Sequence, residues 1–156
     1  MTKTPSRFRT TVRVRYAETD QMGVVYYANF FVWFEIGRVE LLRQLGFDYK
    51  QMEIVDDCVL PVVEATCRYK SPARYDDLIV IDTRVSAMRT SVLKFAYNVY
   101  RAGETFRDGS ETPEKLLATG ETTHVIVDKS LEKGALPERY ASVIRAAFGE
   151  QLVSGV

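Results

Sequence analysis

Hydrophobic and polar positions alternate from Phe8 to Tyr16, with Phe8, Thr10, Val12, Val14 and Tyr16 on one side and Arg9, Thr11, Arg13 and Arg15 on the other. A period of two is that of a half-buried strand, so a first strand is predicted here. The polar run Ala17–Gly23 makes a loop closed by glycine, and a short apolar run, Val24 to Tyr27, follows. From Ala28 to Leu45 the period lengthens to that of a helix. Phe30, Phe31, Phe34, Leu41, Leu42 and Leu45 recur at three-and-four spacing, and Gly46 stands where a C-terminal cap wants a left-handed residue. The first half of this helix is apolar on nearly every side, because Phe30, Phe31, Val32, Trp33, Phe34 and Ile36 crowd into seven residues. Such a helix must be wrapped. Gly37 in its middle costs about 1 kcal/mol relative to alanine, which predicts a neighbour close to the backbone.

The segments Cys58 to Lys70, Leu78 to Met88, Ser91 to Arg101 and Leu116 to Val127 are rich in Val, Ile, Thr, Tyr and Phe and read as strands. Between them lie Ser71–Asp77, a tight bend near Arg89-Thr90 and the long polar loop Ala102 to Glu114, a pattern that predicts an antiparallel meander. Pro137 opens a last amphipathic helix through about Phe148, and the tail to Val156 is expected to be loose. One domain with its core between about residues 8 and 148 accommodates all of this. The expected class is α+β, a curved antiparallel sheet of about five strands wrapped around one long buried helix.

Composition narrows the chemistry. The 156 residues carry 21 Lys+Arg against 21 Asp+Glu, a formal net charge of zero, with 46% hydrophobic residues and one histidine. A neutral chain lacks the basic excess of a general nucleic-acid binder, and anionic ligands would have to be held by a few local cations. No uncharged apolar run approaches the roughly 20 residues of a membrane span, and the N-terminal residues carry no apolar signal core. With two cysteines, Cys58 and Cys67, too few for a disulfide framework or a zinc site, the expected location is the cytoplasm. Any Ser-His-Asp or Cys-His mechanism must use His124, which sits inside a predicted strand with no nucleophile elbow in the chain. Metal-binding and phosphate-cradling motifs are also missing, so no metal and no cofactor is expected.

Carboxylate chemistry remains. Asp20 lies seven residues ahead of Tyr27, where the first free N–H groups of the long helix should point. A helix N-terminus stabilises negative charge developing on a carbonyl oxygen, while a carboxylate attacks the carbonyl carbon or activates water to do so. From spacing alone this reading and that of a simple turn aspartate stand level.

The run Val14-Arg-Tyr-Ala-Glu-Thr-Asp-Gln-Met-Gly-Val-Val-Tyr-Tyr-Ala-Asn-Phe-Phe-Val-Trp-Phe-Glu35 resembles the signature of the 4-hydroxybenzoyl-CoA thioesterase family of hot-dog proteins, especially its Tol-Pal-associated branch. Arg68-Tyr-Lys-Ser-Pro-Ala-Arg-Tyr-Asp-Asp-Leu78 and Ser86-Ala-Met-Arg-Thr-Ser91 resemble two further bends of that family, and the likeness runs from about Arg9 to Asp128. The resemblance implies a hot-dog fold and hydrolysis of an acyl or aryl thioester of coenzyme A or of an acyl carrier protein. It also implies a homodimer or homotetramer with sites between subunits. Asp20 is then the catalytic carboxylate and the Tyr27 backbone amide polarises the thioester carbonyl. Tyr16, Val24, Tyr26 and Phe30 would border the acyl group, and Arg89, Thr90 and Ser91 would meet the coenzyme A phosphates, with Lys70 and Arg74 weaker candidates. The chain departs from the branch at Tyr27, where those relatives carry histidine, a change that a backbone N–H survives. The loop Ala102 to Glu114 is longer than usual and is either a hairpin extension or a lid. Glu35 is a second carboxylate, read as an ion pair with Arg38 or an exposed helix residue. The rival readings are a hot-dog hydratase, which would need a histidine near Asp20, and a non-catalytic acyl-thioester or carrier-protein binding module.

Overall fold

A computed structural model describes residues 8–152. Strand β1 (Phe8–Arg13) leads through a 3-10 turn at Tyr16–Glu18 to the central helix α1 (Asn29–Gln44), and a short helix α2 (Tyr49–Ile54) follows. Then come β2 (Val62–Tyr69), β3 (Leu78–Met88), β4 (Val92–Arg101), the two-residue strands β5 (Glu104–Thr105) and β6 (Glu111–Thr112), β7 (Lys115–Val125) and helix α3 (Glu138–Phe148). The long strands form one antiparallel five-stranded sheet in the order β1-β3-β4-β7-β2. This is not the expected meander. β2 pairs with β7 at the far edge, Val62 opposite His124 and Tyr69 opposite Ala118, and the segment 71–77 carries the chain back across the sheet to β3.

Helix α1 packs against β1, β2, β3 and β4. Phe30, Trp33, Phe34, Gly37, Leu41 and Leu42 form its buried side. A Cβ on Gly37 would stand 2.4 Å from Thr83 Oγ1 and 2.7 Å from Ile81 Cγ2, so the glycine marks the closest approach of helix to sheet. Register shifts in β2, β3 and β4 bend the strands as β-bulges do. The helix ends in a Schellman motif: Gly46 N–H bonds Arg43 O, Phe47 N–H bonds Leu42 O, and Gly46 takes φ +90°.

The all-round apolarity of α1 is satisfied by its own chain on one side only. Val32 remains 45% exposed, and Phe31 is partly so. β2 is likewise open along almost its whole length, Val63 at 58%. The first strand stops at Arg13, short of the expected Tyr16, because the Glu18 carboxylate accepts the Arg15 N–H and turns the chain into the 3-10 segment. The loop 102–114 contains a small hairpin, β5 with β6, and α3 follows Pro137 as expected, its Phe148 ring 5.3 Å from Phe8. Of the tail expected to be loose, Gly149–Gln151 forms a 3-10 turn, and 153–156 lie outside the described residues. No helix among those residues is long and apolar enough to cross a membrane.

Candidate active site

The loop after β1 folds back as a narrow hairpin against the segment that feeds α1. Thr19 pairs with Val25, Asp20 N–H bonds Val24 O at 2.8 Å, and Gly23, with φ +80°, makes the turn. Asp20 is half-buried and its Oδ1 accepts the Met22 N–H at 2.8 Å. The turn role is therefore real, yet it occupies one carboxylate oxygen. Among the described residues Oδ2 has no partner.

Two residues before Asp20, Glu18 is buried, 6% exposed. Its Oε1 accepts the Arg15 N–H at 2.8 Å and its Oε2 accepts the indole N–H of Trp33 at 3.2 Å. Its carbonyl oxygen accepts Tyr26 N–H at 2.8 Å and Asn29 Nδ2–H at 3.0 Å. The start of α1 carries no side-chain cap, since Ala28 occupies the N-cap position. The N–H groups of Asn29, Phe30 and Phe31 bond the carbonyls of Tyr26, Tyr27 and Ala28 in tight 3-10 fashion. Among the described residues the amides of Tyr27 and Ala28 are left without an acceptor, at the positive end of the helix dipole.

A cleft of about 310 Å³ opens beside this helix start, lined by Val25, Tyr27, Phe30, Tyr69, Lys70 and Ser71. Tyr69 packs edge-on against Phe30 at 5.1 Å and Tyr27 at 6.2 Å, and its hydroxyl donates to Tyr27 O at 2.8 Å. Burial, reinforced by Cys67, raises the Tyr69 phenol above its ordinary value, so it stays protonated and donates. Of the residues singled out in the sequence, Tyr27, Phe30 and Lys70 line this cleft. Tyr26 covers Tyr27 from outside at 4.7 Å, and Val24 faces Asp20 across the hairpin. Tyr16 lies apart, 79% exposed against Tyr75. Sequence reasoning missed Tyr69 as a cleft residue and Glu18 as a buried acid. Tyr69 lies within the Arg68–Leu78 motif, but nothing in the local pattern marks either role.

Arg89, Thr90 and Ser91 lie at the other end of the sheet. Arg13 pairs with Leu78 at the site end of β3, and the strand then runs on to Met88, about 30 Å away at 3.3 Å per residue. Within one chain the bend cannot reach the Asp20 loop. Arg89 and Thr90 border a separate groove of about 340 Å³ with Leu136 and Arg145, and Ser91 Oγ donates to Gly134 O at 2.8 Å. Glu35 lies on the open face of α1. His124 is 1% exposed and sits toward that far end of β7, opposite Leu93. Its Nδ1 is 2.9 Å from Leu60 O, and its Nε2 is 2.9 Å from Thr122 Oγ1, which Tyr97 OH meets at 2.6 Å. Among the described residues no group of three or more His, Cys, Asp or Glu side chains could hold a metal.

The family model described as Thioesterase superfamily matches residues 22–107, more than half of the chain, beginning two residues after Asp20. The chain is 38% identical over 119 residues to the Bacillus subtilis protein "Putative acyl-CoA thioesterase YneP", covering 76% of this chain and 78% of that one. It is 36% identical over 104 residues to the Escherichia coli O6:H1 acyl-CoA thioester hydrolase YbgC, covering 67% and 77%. Among solved structures, that of the Thermus thermophilus protein TT1821 superposes with a TM-score of 0.77 at 32% identity, covering 89% of this chain and 98% of that one. The curved sheet around α1 is the hot-dog fold, and on these matches the chain belongs to the thioesterase superfamily.

Proposed function

We propose that the chain hydrolyses an acyl-coenzyme A thioester to the carboxylic acid and free coenzyme A, with Asp20 and the start of α1 as the reacting site. The reading rests first on family membership. What ties it to residues is the start of α1, an uncapped helix whose Tyr27 amide is open, joined through one short hairpin to an aspartate with a free oxygen. The thioester carbonyl oxygen lies on the Tyr27 N–H, where the helix dipole favours the charge of the tetrahedral intermediate. Asp20 either attacks the carbonyl carbon, forming a mixed anhydride that water then cleaves, or takes a proton from the water that attacks. In both cases the C–S bond breaks and the thiolate leaves as coenzyme A. The acyl group lies along Phe30 and Tyr69 in the aromatic cleft.

The working unit is a homodimer or a dimer of dimers. In support, β2 and the Phe31–Val32 side of α1 leave apolar surface that a second copy would bury, and a neighbouring subunit would bring its Arg89 bend to the phosphates. The enzyme works in the cytoplasm, where two free thiols stay reduced. The test is release of free thiol from a panel of acyl-CoA and aryl-CoA thioesters by the parent protein and by Asp20→Asn. Hydrolysis by the parent and a fall of about a hundredfold or more in the folded variant are expected. A variant as active as the parent removes Asp20 from the mechanism, and a parent that binds without turnover removes the hydrolase reading.

A further inference from the structure

We infer that Glu18 is a positioning residue, holding the Asp20 carboxylate and the open amides at the start of α1 in one rigid frame. The inference rests on the assignment of Asp20 and Tyr27 above. One residue makes bonds at four points of the chain. Its carboxylate reaches Arg15 before the loop and Trp33 in the second turn of α1, and its carbonyl reaches Tyr26 and Asn29 at the helix start. The hairpin bearing Asp20 and the helix bearing the amides have few other direct ties. Beyond Glu18 they are the Thr19–Val25 bridge, the Asp20 N–H bond to Val24 O and the Gly23 N–H bond to Asp20 O.

The chemistry of these bonds requires an acid. Both carboxylate oxygens face donors, Oε1 the Arg15 backbone and guanidinium N–H groups and Oε2 the Trp33 indole N–H. A glutamine has one acceptor oxygen and one NH2 group, so it must turn a donor toward either Arg15 or Trp33. An aspartate is one methylene too short to span both. A buried carboxylate costs several kcal/mol unless its bonds are made, and a structure needing only a turn could use a neutral residue. Trp33 also connects this frame to the cleft, its ring 4.6 Å from Phe30, which lies 5.1 Å from Tyr69.

A shift of about 1 Å in reacting groups can cost on the order of a hundredfold in rate, so Glu18→Gln is expected to lower kcat by about 10- to 100-fold. The same variant should leave KM within about threefold of the parent, since the cleft that holds the acyl group is retained. Trp33 is the chain's one tryptophan, so its emission in the folded variant should shift as the indole N–H loses its carboxylate partner. The decisive arm is a double-mutant cycle with Asp20→Asn. If Glu18 acts through Asp20, adding Glu18→Gln to Asp20→Asn brings little further loss. A kcat equal to the parent's, or an equal loss in both backgrounds, overturns the inference. So does a loss that only tracks the folded fraction measured by circular dichroism. If Glu18→Gln does not fold, Trp33→Phe replaces it, keeping an aromatic ring while removing the donor. A fall of about threefold to tenfold in kcat, absent in the Asp20→Asn background, then supports the role, and an unchanged kcat overturns it. Failure of the Asp20 assignment itself shows separately, as full activity in the Asp20→Asn protein alone.

Discussion

The chain's one histidine should set part of its acid stability without touching its chemistry. A carbonyl oxygen only accepts, so the 2.9 Å contact with Leu60 O places the proton of neutral His124 on Nδ1. Nε2 then accepts from the Thr122 hydroxyl, which in turn accepts from Tyr97. A second proton on Nε2 would face a hydroxyl already oriented as donor. Burial accordingly lowers the imidazole from its ordinary 6.5 to about 4, with Arg38 acting in the same direction and the Leu60 bond opposing. The folded state resists protonation that the unfolded chain accepts, so the unfolded state binds more protons between about pH 6.5 and 4 and stability falls as pH falls through that window. By pH 5 the linkage amounts to about 2 kcal/mol, nearly all of it from the unfolded chain. The assay is urea unfolding of the parent and His124→Gln at pH 7.5 and pH 5. Carboxylates titrate alike in both proteins, so the difference between them isolates the imidazole. The parent should lose about 2 kcal/mol more than the variant between the two pH values. Equal losses would show that His124 is accessible to protons in the folded state. Thiol release by the folded variant should match the parent, since His124 is buried and both its ring nitrogens are bonded to Leu60 and Thr122.

Gly120→Ala tests the packing of α1 on the sheet. Its Cβ would meet the Phe34 ring at 2.2 Å and Thr66 O at 2.7 Å, and Phe34 is already stacked on Tyr97 at 4.3 Å, so thermal unfolding should show a loss of about 3 kcal/mol. A neutral outcome would mean that the helix stands farther from the sheet. Val63→Lys places a charge on the open edge strand and tests assembly. Light scattering should move toward the monomer mass, and hydrolysis should be lost over the same protein concentrations, whereas a monomer with full activity would refute a site completed by a second subunit.

Much of the fold was legible because periodicity reports which face is buried. β3 was predicted from Leu78 to Met88 and runs over those residues, and α1 departs by one residue at each end, its C-terminus marked by Gly46. Neighbour order was not legible, since a period of two says nothing about which strand lies alongside. Segment 71–77 looked like a hairpin turn and instead crosses two strands. α2 escaped because six residues with one buried side chain, Met52, show no repeat. At the site, resemblance directed attention to Asp20 and Tyr27, and the structure places Phe30 beside Tyr27 while leaving Tyr16 outside the cleft. Glu18 read as one polar loop residue among several, for its burial depends on Trp33, fifteen residues away.

The two helices that follow one another differ in a way that local stability does not explain. α2, a peripheral helix, begins with Asp48, whose side chain accepts the N–H groups of Lys50 and Gln51. The sixteen-residue α1, at the centre of the molecule, begins with Ala28 and has no such cap. A side-chain cap there would contribute about 1 kcal/mol, yet its oxygen would occupy the amides that a thioester carbonyl must reach. The acid that does lie close by, Glu18, bonds the helix through its carbonyl and through Trp33 and leaves the Tyr27 and Ala28 amides open. An uncapped helix end, a buried carboxylate and exposed tyrosines each break a local rule, and all three occur within the span from Glu18 to Trp33. Departures from local preference that cluster this tightly are expected where binding and reaction constrain the chain more than folding does.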